Sequence, residues 1–291
     1  MVVQLIQNIT TAPLASSTLL LIIISKSILE NLFTLNISFS NLIITIPLLI
    51  KTGAAPMHWW FPRVIEGLSW RNCFILITIQ KIAPLILISY IITFNTFFIF
   101  IIISSVLIGT IGGYNQTSIR KILTYSSINH LGWILAAITI AENLWVLYFL
   151  IYSGLTLSII WIVNPLQISF INQTFLINNN NKVIKFLLFS SLLSLGGLPP
   201  FLGFLPKWIV IQSIVNNSSI LIVSTIVVLS LITLYYYLRI SYSAFIILGY
   251  ETRWSLNEFN SYSPSSPKMI VLSIFSILGL ILCSILINFI N

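Results

Sequence analysis

Three lysines stand inside long apolar runs of this chain, where little water surrounds a charged side chain. Lys51 and Lys81 lie about 13 and about 9 residues into their runs, which at ~1.5 Å per helical residue is well inside a hydrocarbon layer. Lys207 follows an interruption rich in Gly and Pro, shortly before the turn NNSS. Because an ammonium group that faces lipid costs ~2.5 to 3.5 kcal/mol, all three lysines are expected to face protein or water.

A buried lysine can exchange protons, because burial favours the neutral amine over the ammonium ion. Lysines joined by water form a proton relay, in which a proton added to one lysine discourages protonation of its neighbour. The alternative is a flexible stem that carries the charge to the membrane surface. That alternative suits Arg239, near the end of LITLYYYLRI. The depth of Lys51 and Lys81, and the interruption beside Lys207, favour the relay.

A further apolar segment, TSIRKILTYSSINHLGW, carries hydroxyl groups and an imidazole at helical spacing. Thr124, Ser127 and His130 are three residues apart and share one helix face, a stripe suited to holding water molecules. The alternative is that the hydroxyl residues only allow close helix packing and that the histidine hydrogen-bonds within the bundle. We hypothesise that this stripe lines a water chain between the lysines.

No carboxylate accompanies the lysines inside an apolar run. The chain has no Asp, and its five acids all lie at turns or ends: Glu30, Glu66, Glu142, Glu251 and Glu258. The opposite charge is therefore expected to come from another chain or from a part of the protein outside this sequence. The sequence also lacks a nucleotide-binding loop, a Cys cluster, paired His ligands and a Ser-His-Asp set. We expect no cofactor, no metal and no redox or hydrolytic chemistry on this chain.

The composition indicates how such residues are positioned. Of 291 residues, 58% are hydrophobic and 6% charged, against roughly 25% charged residues in soluble domains, and the mean hydropathy is +1.05. No hydrophilic stretch is long enough for a soluble domain. The backbone must satisfy its own hydrogen bonds in lipid, and no alternating barrel pattern is present. The sequence therefore predicts an all-α, polytopic membrane helix bundle forming one transmembrane domain over residues 1–291.

Turn signals divide the chain into about nine transmembrane spans. The predicted spans are 8–26, 38–63, 72–94, 96–113, 118–141, 143–164, 183–215, 219–246 and 268–290.

Two of these spans contain the same interruption. GAAPMHWWFPR and GGLPPFLGFLPK have the same spacing of Gly and Pro and lie 144 residues apart. Gly53, Pro56 and Pro62 of the first segment match Gly197, Pro200 and Pro206 of the second. A Pro inside a helix costs roughly 3 kcal/mol unless another group binds the freed carbonyl. Because five crossings separate them, the two spans run in opposite directions. This pattern is typical of inverted repeats with two discontinuous helices around a transport pathway.

The loop charges predict the orientation. Alternate loops carry eight basic residues on one side and only Lys26 on the other; the eight are Arg63, Arg71, Arg120, Lys121, Lys182, Lys185, Arg253 and Lys268. The N-terminus is expected on the positive side, cytoplasm or mitochondrial matrix, and the C-terminus on the opposite side.

Four motifs in order resemble a known family. LLIKTGAAPMHWWFPRVIEGLSW, ITIQKIAPL, GGYNQTSIRKILTYSSINHLGW and LSLGGLPPFLGFLPKW are similar to subunit 2 of mitochondrial NADH:ubiquinone oxidoreductase, respiratory complex I, from near residue 12 to about residue 245. The resemblance implies an antiporter-like proton-pumping subunit of the membrane arm. It also implies that Lys51, Lys81 and Lys207 are the family's three central lysines, and that the discontinuous helices are the second and seventh spans.

The resemblance further implies a mitochondrial inner-membrane protein with its N-terminus in the matrix and its C-terminus in the intermembrane space. Its partners would be other membrane-arm subunits, including neighbouring antiporter-like subunits, and phospholipids, but no nucleic acid. NADH, FMN, Fe–S clusters and ubiquinone would bind elsewhere in the complex.

One departure from the family concerns the start of the chain. Animal members begin with two more helices, the second carrying a glutamate that pairs with the first lysine, and this sequence is expected to start after them. Two alternatives therefore stand beside the proton-pumping subunit: a membrane-arm scaffold that no longer pumps, and a free-standing cation/proton antiporter.

Overall fold

The described part of the chain is entirely helical in its regular elements, as the sequence predicts. The computed structural model describes residues 37–92, 96–171, 182–199, 201–216 and 219–242, with residues 16, 23 and 173. Its helices are α1 Ile37–Thr52, α2 Trp60–Glu66, α3 Trp70–Ile77, α4 Ile79–Ile91, α5 Thr96–Tyr114, α6 Ile119–Ile138, α7 Glu142–Leu166, α8 Lys182–Gly196, α9 Phe204–Asn216 and α10 Ile220–Tyr242.

Four helical stretches within these ranges are long and apolar enough to cross a membrane. They are Trp70–Ile91, Thr96–Tyr114, Asn143–Leu166 and Ile220–Tyr242, in agreement with four of the predicted spans. The predicted last span, 268–290, and all of the first, 8–26, except residues 16 and 23, lie outside the described residues. The total of nine spans therefore stays a prediction.

The two predicted interruptions are present, and they occupy matching positions. Helix α1 ends at Thr52 and α2 begins at Trp60, while α8 ends at Gly196 and α9 begins at Phe204. Each gap opens with a glycine in the left-handed region, Gly53 at φ +74° and Gly197 at φ +83°. Only glycine adopts this conformation without steric cost, which is why it ends helices so often. This confirms the prediction of two discontinuous helices.

Helix α6 forms the centre of the bundle. Of its 20 residues, only Arg120, Lys121 and Tyr125 are not buried. It contacts α2, α5, α7 and α9, so its hydroxyl and imidazole groups face other helices rather than lipid. A helix that is buried on every side can carry polar groups only if its neighbours or water bind them.

Small residues let α5 and α6 approach closely. A Cβ atom added to Gly109 of α5 would lie 2.6 Å from the backbone nitrogen and 2.8 Å from the Cα atom of Asn129. Gly132 of α6 makes the reciprocal contact, with Ser105 and Val106 of α5. Helices in membranes associate through such close packing, because lipid is as apolar as the side chains.

Gly109→Ala is therefore expected to destabilise the protein by ~1 to 3 kcal/mol, the usual cost of overpacking, because the obstacle is backbone. Gly154→Ala in α7 is the matched control, since nothing lies within 4 Å of its added Cβ and alanine favours a helix by ~1 kcal/mol over glycine. Thermal unfolding of the purified assembly measures both. Equal stability of the two variants would contradict the close α5–α6 contact.

Candidate functional site

Lys81 is held at the centre of the bundle by α2, α4 and α6. Its side chain is 2% exposed, and its Nζ donates a hydrogen bond to the Ser127 hydroxyl at 3.3 Å. The same Nζ lies 4.5 Å from the ring centroid of Phe61, where the face of an aromatic ring attracts a cation. The ammonium group thus meets a hydroxyl and a ring face.

Lys207 is bound by the end of the interrupted helix α8. It is 5% exposed, and its Nζ donates to the Gly196 carbonyl at 2.8 Å, with the Trp133 ring centroid at 5.9 Å. The last carbonyls of a helix have no partner within the helix and carry the negative end of its dipole. The interruption therefore supplies a partial negative charge to Lys207.

Gly197 makes this contact possible. A Cβ atom added there would lie 3.0 Å from Lys207 Cδ and 3.1 Å from its Nζ, so a larger residue would push the lysine away from the helix end. Gly197 thus both adopts the left-handed conformation of the turn and leaves space for the Lys207 side chain.

His130 lies within electrostatic range of both Lys81 and Lys207. Its Nδ1 is 2.9 Å from the Tyr148 hydroxyl, and its ring centroid is 4.8 Å from that of Tyr152. The tautomer decides which of His130 and Tyr148 donates this hydrogen bond. His130 is therefore coupled electrostatically to both lysines and hydrogen-bonded to Tyr148.

The structure unites most of the predicted site residues but not all of them. Lys81, Ser127, His130 and Lys207 gather around α6. Both hydroxyls of the predicted stripe donate to carbonyls of their own helix, Thr124 to Lys121 at 2.6 Å and Ser127 to Thr124 at 2.7 Å, but Ser127 also accepts the hydrogen bond of Lys81.

Lys51 stands apart from this group. It is half-buried in the last turn of α1, a helix that packs on the helix of Lys81. Among the described residues it makes no hydrogen bond or ion pair. A cation is stabilised at this end of a helix by the helix dipole.

The carboxylate of Glu66 lies away from the site. It pairs with Lys121 at 2.7 Å, with both side chains more than a third exposed, and its backbone carbonyl accepts a hydrogen bond from Arg120. This cluster lies at the end of the bundle where α2 ends and α6 begins. In the described part of the chain no carboxylate contacts Lys81 or Lys207.

Sequence reasoning missed several groups around the site. Phe61 and Trp133 face the two ammonium groups, and Tyr148 and Tyr152 of α7 surround His130. Tyr148 and Tyr152 are four residues apart and so share one helix face, a spacing that could have indicated them. No spacing in the sequence indicates that Phe61 and Trp133 face the lysines.

The chain is similar to known proteins over most of its length. Residues 6–233 match the family model "NADH:quinone oxidoreductase/Mrp antiporter, TM". A protein of Anopheles gambiae called NADH-ubiquinone oxidoreductase chain 2 is 50% identical over 278 residues, which cover 95% of this chain and 81% of that protein.

Two solved structures share the fold. One is a chain of respiratory complex I from Thermus thermophilus, with a TM-score of 0.71 and 22% identity over 84% of this chain and 57% of that one. The other belongs to the Mrp complex of a Dietzia species, with a TM-score of 0.76 and 16% identity over 96% and 65%. This chain thus spans less than two thirds of either solved chain. The family match and the level of identity together establish that this chain belongs to the NADH-ubiquinone oxidoreductase chain 2 family.

Proposed function

We propose that this chain is a membrane-arm subunit of the proton-translocating NADH:ubiquinone reductase, respiratory complex I, and that it moves protons across the inner mitochondrial membrane. The observation that carries the proposal is the pair of buried lysines, Lys81 and Lys207, with His130 in electrostatic range of both. A structural role would be served better by apolar side chains, because a buried charge is costly and well-packed apolar residues are not.

The residues of this chain would act in sequence. A proton on Lys81 passes through the Ser127 hydroxyl and water to His130, and from His130 to Lys207, whose ammonium group the Gly196 carbonyl stabilises. Each lysine opposes protonation of the other through the low-dielectric interior. A charge change outside the pair, driven by ubiquinone reduction elsewhere in the complex, would then move the proton in one direction.

We also propose how the chain is oriented in the membrane and what surrounds it. The residues form one antiporter-like transmembrane domain over 1–291, with the N-terminus in the matrix and the C-terminus in the intermembrane space. NADH, FMN, Fe–S clusters and ubiquinone bind to other subunits. Neighbouring antiporter-like subunits and phospholipids cover the apolar outer surface, which exposes large side chains such as Leu221 and Val228 on α10. Lys51 would join the relay through an acid supplied by a neighbour.

Lys207→Met tests the function. In the complete complex reconstituted into liposomes, the rate of proton translocation driven by NADH is expected to fall at least about tenfold, because acid–base groups contribute ~10²- to 10⁴-fold to proton transfer. Arg239→Met removes an exposed cation on α10 and is expected to leave the rate unchanged.

Two outcomes favour the alternatives. A Lys207→Met complex that assembles and translocates protons at the normal rate and stoichiometry would support the non-pumping scaffold. Exchange of cations for protons by this chain purified alone would support the free-standing antiporter.

A further inference from the structure

We infer that Tyr152, Tyr236 and Tyr237 form a hydroxyl row that conducts protons between Ser127 and one end of the bundle. The inference rests on the proposed function, because it gives the lysine pair a route of access. These tyrosines are not among the residues that the lysine relay itself requires. They belong to α7 and α10, whereas the stripe predicted from sequence belongs to α6.

The three hydroxyl groups are buried, and none of them makes a hydrogen bond of good geometry among the described residues. A buried hydroxyl without a partner is unfavourable, and buried polar groups in proteins are nearly always bound to protein or to water. Three of them in one part of a membrane bundle indicate a place where water molecules are bound.

The row is continuous with the lysine site. The Tyr152 hydroxyl faces the Ser127 hydroxyl, which accepts the hydrogen bond of Lys81. Tyr152 is in turn within electrostatic range of Tyr237. The hydroxyl groups of Tyr237 and Tyr236 face each other, and their ring centroids are 4.5 Å apart.

Glycines of two other helices make room for the row. A Cβ atom on Gly196 would lie 3.3 Å from the Tyr237 ring, and one on Gly113 would lie 3.3 Å from the Tyr236 ring. Gly196 ends α8 at the interruption, whereas Gly113 is followed by only one more residue of α5. The Tyr237 ring therefore lies beside the interruption, and the Tyr236 ring lies beside the end of α5, at one end of the bundle.

That end of the bundle is the one with the basic cluster. The segment after α5 leads directly into α6, which begins with Arg120 and Lys121 beside Glu66. The charge bias of the loops places this end on the matrix side. The row would thus connect Lys81 with the compartment from which protons are taken up.

A phenol can conduct a proton without changing its own charge. Its oxygen accepts a proton from a water molecule on one side as its O–H proton passes to the next acceptor. One O–H bond forms while another breaks, and no electron leaves the ring, so no oxidant is required. The tyrosine is ready for another transfer once it and its waters have reoriented.

Removal of single hydroxyl groups tests the row in the complete complex reconstituted into liposomes. Tyr237→Phe and Tyr152→Phe keep the ring and are each expected to slow proton translocation about fivefold, the effect of one hydrogen bond, and to enlarge the slowing caused by D₂O. Tyr235→Phe, on the exposed side of the same helix α10, is the matched control and is expected to change neither quantity.

Two results would overturn the row. One is an unchanged rate in both variants; the other is slowing without a larger D₂O effect, as a purely structural role would give. Lys207→Met is measured in parallel. If it stops translocation while the phenylalanine variants do not, the row is wrong and the proposed function stands. If it too has no effect, the proposed function fails.

Discussion

Replacing Lys81 by methionine is expected to abolish proton translocation by this subunit without weakening the fold. Lys81 is buried, and its Nζ contacts the Ser127 hydroxyl and the Phe61 ring. Methionine fills a similar volume and needs no partner, so the cost of burying a charge, ~2.5 to 3.5 kcal/mol on membrane-insertion scales, disappears. The variant should therefore unfold at the same temperature as the parent or higher, while NADH-driven translocation falls at least about a hundredfold.

Two further variants sharpen this test. Ser127→Ala removes the hydroxyl that accepts the Lys81 hydrogen bond, and it is expected to slow translocation less than Lys81→Met, because water can replace a hydroxyl. Lys121→Met removes an exposed ion pair with Glu66, worth ~0 to 1 kcal/mol, and is expected to leave translocation unchanged. If Lys81→Met lowers the translocation rate only as much as it lowers the amount of assembled complex, the role of the lysine is structural.

Gly203→Ala is expected to prevent assembly of the chain into a stable complex. An added Cβ atom would overlap the Ser194 carbonyl oxygen and lie 3.3 Å from Leu155 Cδ1. Since the obstacle is backbone, α8 and α9 must separate, and the cost is expected to reach or exceed the upper end of the ~1 to 3 kcal/mol usual for overpacking. Ser194 lies two residues before Gly196, so the same shift also moves the carbonyl that binds Lys207.

The amount of assembled complex in membranes and its unfolding temperature measure the effect of Gly203→Ala. Gly196→Ala is the graded comparison, because its Cβ would meet the ring of Tyr237 at 3.3 Å, and a side chain can move where a backbone cannot. The close approach of α8 and α9 would be refuted by Gly203→Ala complexes as abundant and as stable as those of Gly196→Ala.

The helices and their interruptions could be predicted from sequence because their causes are local. Apolar runs of membrane-spanning length must be helical, and a glycine followed by prolines ends a helix wherever it stands. The match between GAAPMHWWFPR and GGLPPFLGFLPK therefore predicted two interruptions, and in the structure each of them opens with a left-handed glycine, Gly53 and Gly197. Counting residues also predicted that Lys51 and Lys81 are buried, and the interruption favoured burial of Lys207; Lys81 and Lys207 are buried, whereas Lys51 is only half-buried.

The partners of those lysines depend on how the helices pack, which no local pattern contains. Arg63 and Lys207 hold equivalent positions in the two repeats, yet Arg63 is exposed and Lys207 is buried against the end of α8. The sequence by itself thus determined the membrane class, the breaks and the buried lysines, because hydropathy and backbone restrictions act within one segment. Only the tertiary structure decided that a helix end and two aromatic faces meet these lysines and that α7 tyrosines surround His130, because contacts between distant segments depend on which face each helix turns to its neighbours.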